Sequence, residues 1–309
     1  MQRYIIRRVG EAILALFALS IMIFLMVRLT GDPALLMLPP DAGKEALEDL
    51  RASMGVDKPL VVQYGLFIRD YSTGSFGDSL RSKSPVSELI KDRLPNSMKL
   101  VGVAALIVIL ISIPLGVLSA VYKGTIIDTA CTGIAVLGQA IPVFWLGMIL
   151  IQLFTVKLGW LPSSGMGGFT HYIMPAFSLG FFTVAAITRL LRSSLLESLD
   201  SEYIKLARIK GLSEFIVVWK HALRNSLISV VTLGGIYIAI LITLGILVEV
   251  VFAWPGMGRL LYQGIVFRDF PVVQAVVMIS AGIVITTSLV VDIAYAYLCL
   301  LYTSPSPRD

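Results

Sequence analysis

Residues 200–225, Asp-Ser-Glu-Tyr-Ile-Lys-Leu-Ala-Arg-Ile-Lys-Gly-Leu-Ser-Glu-Phe-Ile-Val-Val-Trp-Lys-His-Ala-Leu-Arg-Asn, carry the most telling arrangement of residue types in the chain, and the work they suit is mechanical. Asp200 or Ser201 can cap a helix of about three turns, because an oxygen on a short side chain accepts the unpaired N–H groups of a first turn. Lys210 suits the negative C-terminal end of that helix, and Gly211 supplies a left-handed residue that stops it. Ser213 can then cap a second helix, in which Phe215, Val218, Trp219 and Ala222 share one face at 3.6-residue periodicity. The product is helix, glycine hinge, helix. A short rigid helix of this kind is a handle for a partner on its side of a membrane, and the same pattern also suits a helix lying on anionic lipid.

Covalent chemistry finds less support. Glu249 and Asp292 are the acids within otherwise apolar stretches, His171 and His221 are isolated imidazoles, and Cys131 and Cys299 lie far apart in different contexts. A lone His offers no metal site, and a free Cys behaves as a small hydrophobe. There is no H-E-x-x-H pair, and a membrane hydrolase would need a nucleophile and base, or a metal pair, facing one another. The Gly43-Lys44 dipeptide is followed by Glu45 and does not make G-x-x-x-x-G-K-[ST], so the chain lacks that means of cradling ATP phosphates. An ion-coupled carrier is the alternative reading; it calls for membrane-embedded acids or repeated half-helices, and Glu249 alone is thin support.

The elements that must position these residues follow from composition. The chain has 309 residues, 57% apolar and 15% charged, with a mean hydropathy of +0.86. Soluble domains are about 25% charged, so a water-soluble globule is excluded, as are disordered, collagenous and disulfide-scaffold chains. A net charge of +5 without an aromatic-interleaved basic stripe does not point to nucleic acid. Crossing a ~30 Å hydrocarbon core takes about 20 residues, and windows nearly free of charge run Ala12–Val27, Leu100–Tyr122, Thr129–Val156, Leu158–Thr188, Asn225–Val248 and Phe270–Val291. A Gly- and Ser-rich turn at 161–168 narrows the fourth to a helix from about Tyr172 to Leu191. The fold class is an all-α membrane protein with six spans. Pro114 and Pro142 interrupt the second and third, and Gly234, Gly235 and Gly245 in the fifth mark either joints or close packing.

Charge sets the orientation. Arg3, Arg7 and Arg8 precede the first acid, and segment 189–224 holds seven basic against four acidic residues, whereas 30–97 holds eight basic and ten acidic. The positive-inside rule places both termini and segment 198–224 in the cytoplasm, and residues 30–97 outside. The first 30 residues read as an anchor, because no A-x-A-like site follows the apolar run. In the external segment Leu60, Tyr64, Phe67, Ile68 and Tyr71 share a helical face. So do Val86, Leu89 and Ile90, after Ser84 as N-cap and Pro85 as first helical residue, with a turn at Gly74-Ser-Phe-Gly-Asp-Ser between them. A small helical cap is expected there. The organisation is therefore 1–29 cytoplasmic end and first span, 30–97 external segment, 98–298 five-helix core, and an atypical tail at 299–309.

Segment 200–225 also resembles the EAA loop of ABC importer permeases of the dipeptide/oligopeptide/nickel family. Ala207 matches the second Ala of that motif, Gly211 its glycine, and His221-Ala-Leu-Arg-Asn the subfamily's ending, while Lys205 and Leu206 stand where the general motif has Glu and Ala. Thr30-Gly-Asp-Pro, Gly55-Val-Asp-Lys-Pro-Leu, Gly74-Ser-Phe-Gly-Asp-Ser, Arg93-Leu-Pro, Pro142-Val-Phe-Trp-Leu-Gly, Leu158-Gly-Trp-Leu-Pro and Val248-Glu-Val-Val-Phe-Ala-Trp-Pro-Gly-Met-Gly are similar to the family in order, over residues 1–298. The tail departs from it.

The resemblance implies a type I importer permease in the inner membrane. Its partners would be a second permease subunit in a heterodimer, two ABC ATPase subunits carrying ATP and Mg, and an external substrate-binding protein delivering peptides or similar small solutes. This chain would bind no cofactor and no metal and catalyse nothing itself. Tyr203, Ala207, Arg208, Lys210, Gly211, Leu212, His221, Arg224 and Asn225 are the expected ATPase-coupling residues. Glu249, Phe252, Pro255 and Gly256 are the expected outer gate or path. Counting from Asn225, Glu249 falls about 36 Å along its helix, which places it beyond the hydrocarbon core in an interfacial hydrogen-bonding position.

Overall fold

The computed structural model describes residues 2–30, 43–53 and 57–303; most of Thr30-Gly-Asp-Pro, the start of the Gly55 motif and residues 304–309 of the tail lie outside these. Described regular structure is helical apart from one isolated bridge, Asp78 to Pro85. The helices among the described residues are α1 (Gln2–Thr30), α2 (Lys44–Ser53), α3 (Leu60–Ser72), α4 (Val86–Val121), α5 (Ile126–Ala140), α6 (Val143–Lys157), α7 (Thr170–Leu199), α8 (Glu202–Ile209), α9 (Glu214–Val251), α10 (Met257–Val266) and α11 (Phe270–Thr303). Five of them (α1, α4, α7, α9, α11) are long and apolar enough to cross a membrane, and α5 with α6 makes the sixth crossing if the pair counts as one.

That pair bends by 106° at the place where Pro142 is expected to interrupt the third span, Thr129–Val156. Pro142 has no N–H to give and drives Ile141 out of the helical region, to φ −88° and ψ 121°. Pro114, by contrast, leaves α4 continuous. α7 runs two turns past the expected end at Leu191, because the charge rule closed the window at Arg189 while buried Leu191 and Leu195 continue the packed face. α4 begins one residue later than the capping pattern suggests: the Pro85 carbonyl accepts the first helical N–H, from Glu88 at 3.1 Å.

The chain forms two compact units, Met1–Pro95 with Gly256–Leu289 and Asn96–Pro255 with Val290–Asp309. In the first, Val86, Ile90, Met257, Leu260, Val272, Ala275 and Val276 make a buried core. An aromatic run from Phe24 through Tyr64, Phe67 and Tyr71 to Phe76 ties α1 to α3, with Ser20 Oγ 2.7 Å from the Tyr64 hydroxyl. Of the expected face of α3, the rings of Tyr64, Phe67 and Tyr71 pack together, while Leu60 and Ile68 are exposed.

The second unit has two apolar clusters. One gathers the α4 end, α7, α8 and the foot of α9 around Leu191, Leu195, Ile204 and Val217; the other gathers Leu100, Met174, Leu179, Leu241, Phe252 and Trp254. Close approaches use small residues: a Cβ on Gly138 would lie 2.7 Å from the Ala185 methyl, and one on Gly235 2.1 Å from the Val291 side chain. Gly235 is thus a packing residue, as small residues in membrane helices generally are.

Candidate functional site

The elbow between α7 and α9 has the helix, glycine hinge, helix order that its sequence suggests, but α8 is eight residues and not about three turns, and neither Ser201 nor Ser213 makes a side-chain cap bond to the helix it precedes. Gly211 takes φ +78° past the end of α8, its N–H reaches the Arg208 carbonyl at 3.0 Å, and the Leu212 N–H reaches the Ala207 carbonyl at 3.3 Å. That pair of bonds is the Schellman closure, which satisfies carbonyls that the helix end leaves open. Ser201 stands at the start of α8 in extended geometry, but its hydroxyl donates back to the Ser198 carbonyl and not to the first turn of α8. Across the hinge Arg208 forks onto Glu214, Nε to Oε1 at 2.7 Å and Nη2 to Oε2 at 3.2 Å. Lys205 Nζ donates to Glu202 at 2.7 Å. These bonds to carboxylates favour the charged forms of Arg208 and Lys205.

One side of the elbow is stapled inward. Ile204 and Ala207 are buried with Val217, Val218, Ala222 and Leu223 and with Leu191 and Leu195 of α7. The other side is bare: Ile209 is 81% and Phe215 71% exposed, flanked by Tyr203, Leu206 and Leu212. The expected single face of Phe215, Val218, Trp219 and Ala222 does not form. Residues Val217–Ala222 make a π turn, whose i→i+5 bonds widen the helix and break the 3.6-residue register. Val218 and Ala222 therefore point into the core while Phe215 and Trp219 stay outside, their ring centroids 6.1 Å apart.

Of the expected coupling residues, Tyr203, Arg208, Lys210, Gly211, Leu212, Arg224 and Asn225 are exposed, His221 is half-buried, and Ala207 faces the protein's own core. Leu206, Ile209 and Phe215 were not among them. The i, i+3 spacing of Leu206 and Ile209, opposite Ile204 and Ala207, was the available clue.

A second missed feature lies in the same unit. The Asp128 carboxylate accepts Arg192 Nε and Nη2, both at 2.8 Å, the Ser119 hydroxyl at 2.6 Å and the Gly124 N–H at 3.0 Å. A single carboxylate so joins α4, the turn after it, α5 and α7, the helix that leads into the elbow. Asp128 is buried, and a buried carboxylate is tolerable because its lone pairs are filled and its charge is matched.

The expected gate residues form a tight corner at the end of α9. Phe252 is buried beside Gly147, where a Cβ would come within 2.9 Å of its ring. Ala253 turns left-handed at φ +48°, Trp254 Nε1 donates to the Asn96 carbonyl at 3.0 Å, and Asn96 Nδ2 donates to the Pro255 carbonyl at 3.0 Å. Glu249 is only 3% exposed, so its carboxyl lies inside the protein. The helical count from Asn225 measured distance along α9 and had no view of what packs around its end. Gly256 opens α10 in the other unit. Among the described residues no three His, Cys, Asp or Glu side chains converge to hold a metal.

Residues 112–299 match the family described as binding-protein-dependent transport system inner membrane component, and residues 1–101 match that system's N-terminal membrane-component family. The glutathione transport system permease protein GsiC of Escherichia coli K12 is 39% identical over 297 residues, 96% of this chain and 97% of that one, and GsiC of Shigella dysenteriae matches equally. Among solved structures, the inward-facing MetNI methionine ABC transporter aligns with TM-score 0.58 at 21% identity, over 68% of this chain and 96% of that one. An amino acid ABC transporter solved with histidines aligns at 0.55 and 14% identity, over 68% and 94%. These structures support the type I permease fold. The chain belongs to the binding-protein-dependent transport system inner membrane components, multi-pass permeases that form the translocation path of ATP-driven importers and work with ATPase subunits and a binding protein.

Proposed function

We propose that the elbow at residues 200–224 is the seat of an ABC ATPase and that the importer carries short peptides of the glutathione class. The observation that carries the coupling reading is the bare apolar ridge of Leu206, Ile209 and Phe215 on a helix whose opposite side is locked into the core. An exposed apolar patch on a rigid support is the signature of an interface, and a rigid support passes a push to α7 and α9 without absorbing it. In this reading both termini and the elbow face the cytoplasm. ATP and Mg reside on the partner ATPases, and this chain binds no cofactor and catalyses no reaction. The second permease is a non-identical subunit, and the Glu249, Phe252 and Pro255 corner lies at the outer end of the path.

The peptide reading rests on the name of the 39% identical relative. The test is uptake by the reconstituted importer with its binding protein. ATP-dependent accumulation of labelled glutathione or dipeptides is expected, and it should be lost on Gly211→Pro while the chain still inserts. Undiminished uptake by that variant would remove the elbow from the mechanism. Exchanging the binding protein while keeping this chain should change which solute is carried; an unchanged preference would move selectivity into the permease.

A further inference from the structure

We propose that a crevice beside Arg81 and Arg93 receives a carboxylate from an acidic side chain of the docked binding protein. This deepens the importer reading and rests on it for the orientation of the chain. The crevice measures about 270 Å³ and lies within the first unit, with Ser82, Gln263 and Asp269 also on its wall. Its floor is the apolar core of that unit, since Leu260 and Val272 belong to both. With six crossings, the connection between the fifth and sixth spans lies on the same side as the segment after the first, and the packing of Val86 and Ile90 on Met257 and Leu260 puts the two connections in one body.

The walls are held before any ligand arrives. Asp269 accepts the Ser79 hydroxyl at 2.5 Å, the Leu80 N–H at 3.1 Å and the Arg81 N–H at 3.4 Å, so its carboxylate is spent on fixing the 79–82 loop. Ser79 Oγ in turn accepts the Ser82 N–H at 3.0 Å. Lys83 at φ +57° and Arg268 at φ +54° are left-handed non-glycine residues on the two chain reversals that meet at Asp269. Such strain persists only where the surroundings over-determine it.

The cations, by contrast, are uncommitted. The Arg81 guanidinium lies 3.6 Å from the centroid of the Phe267 ring, a stacking contact that aims it without neutralising it. Arg93 is half-buried, and among the described residues no carboxylate pairs with it. Two guanidinium-bearing residues share the lining with one carboxylate whose oxygens already accept from Ser79, Leu80 and the Arg81 N–H, which leaves the crevice net positive and suited to a second carboxylate. At about 270 Å³ the crevice lies at the lower edge of the roughly 300–1,000 Å³ typical of pockets that enclose a whole small ligand, a size that suits one acidic side chain.

The experiment uses the complete importer in lipid nanodiscs and its purified binding protein, with docking affinity measured at low and high salt. Arg93→Glu and Arg81→Glu should each weaken docking about tenfold at low salt and flatten its salt dependence, as charge reversal in a steering contact does. Arg69→Glu, the same charge change elsewhere on that unit, should leave docking as it is. Should Arg93→Glu fail to insert, Arg93→Gln and Arg81→Gln serve, with the same direction and a smaller effect. Reversing one acid of the binding protein to Arg should restore docking to the Arg93→Glu importer. Equal weakening by Arg69→Glu would assign the effect to overall charge and overturn the crevice. So would unchanged docking accompanied by a raised KM for uptake, which would make the solute the ligand. Absence of ATP-dependent uptake in the unmodified importer would instead defeat the importer reading itself.

Discussion

The elbow at 200–224 and the crevice at 79–93 with 260–272 are both rigid surfaces set by short polar closures, and they present opposite chemistry. The elbow closes with Gly211 and shows Leu206, Ile209 and Phe215; the crevice closes on Asp269 and shows Arg81 and Arg93. Apolar surfaces make lasting interfaces, whereas charged rims speed encounter and release. An importer needs one of each: a motor that stays and a receptor that must leave after delivery. The two proposed assignments give the apolar elbow to the first of these partners and the charged crevice to the second.

The sharpest way to break the comparison is to charge the ridge. Ile209→Glu with Phe215→Glu should abolish retention of the ATPase in detergent-purified complexes, since buried apolar anchors contribute about 2 kcal/mol or more each, roughly a thousandfold together. Raising salt should leave retention by the unmodified chain nearly unchanged; salt-sensitive retention would make the inner surface resemble the outer one.

Next in size is Asp128→Ala, which strands the Arg192 guanidinium and three further donors, on Ser119, Gly124 and Thr132. A loss of about 3 kcal/mol is expected, at the low end for a broken buried pair because Arg192 keeps some solvent access. Thermal unfolding of the purified chain checks it, and Asp128→Asn should cost less. If coupling runs through α7, the ATPase should still bind the Asn variant while uptake falls.

Smaller effects probe the hinge. Gly211→Ala meets no atom within 4 Å, so its cost is conformational alone, about 1 kcal/mol for an L-residue held left-handed. Gly211→Asn should cost less than Ala. Smallest is Glu214→Gln: the fork with Arg208 is exposed, and loss of such a pair changes stability by no more than about 0.5 kcal/mol. Either change exceeding the Asp128 effect would relocate the critical contact to the hinge.

Much of this was legible in the chain. Gly211 could be placed because a left-handed residue after a short amphipathic helix is a local demand, met by local residues. The spans were legible because hydrocarbon imposes length and apolarity on each segment alone. What was hidden depends on distant or collective geometry. Asp128 and Arg192 are 64 positions apart, and nothing near Asp128 announces its partner. The π turn at 217–222 changes the helical period itself, so a fixed 3.6-residue reading put Trp219 with Ala222. Pro142 announced a break, but the 106° angle is set by what α5 and α6 pack against. Asp269 has the position of a helix cap ahead of α11, yet its carboxylate serves a loop 190 residues earlier.

The central claim, that the exposed ridge of the elbow meets an ATPase on the cytoplasmic side, is tested most directly by Ile209→Cys in a chain lacking Cys131 and Cys299. A membrane-impermeant maleimide should label position 209 in inside-out vesicles stripped of the ATPase and not in right-side-out vesicles, and adding the ATPase back should protect it. Labelling from the outer side, or labelling that the ATPase leaves unchanged, would contradict the account.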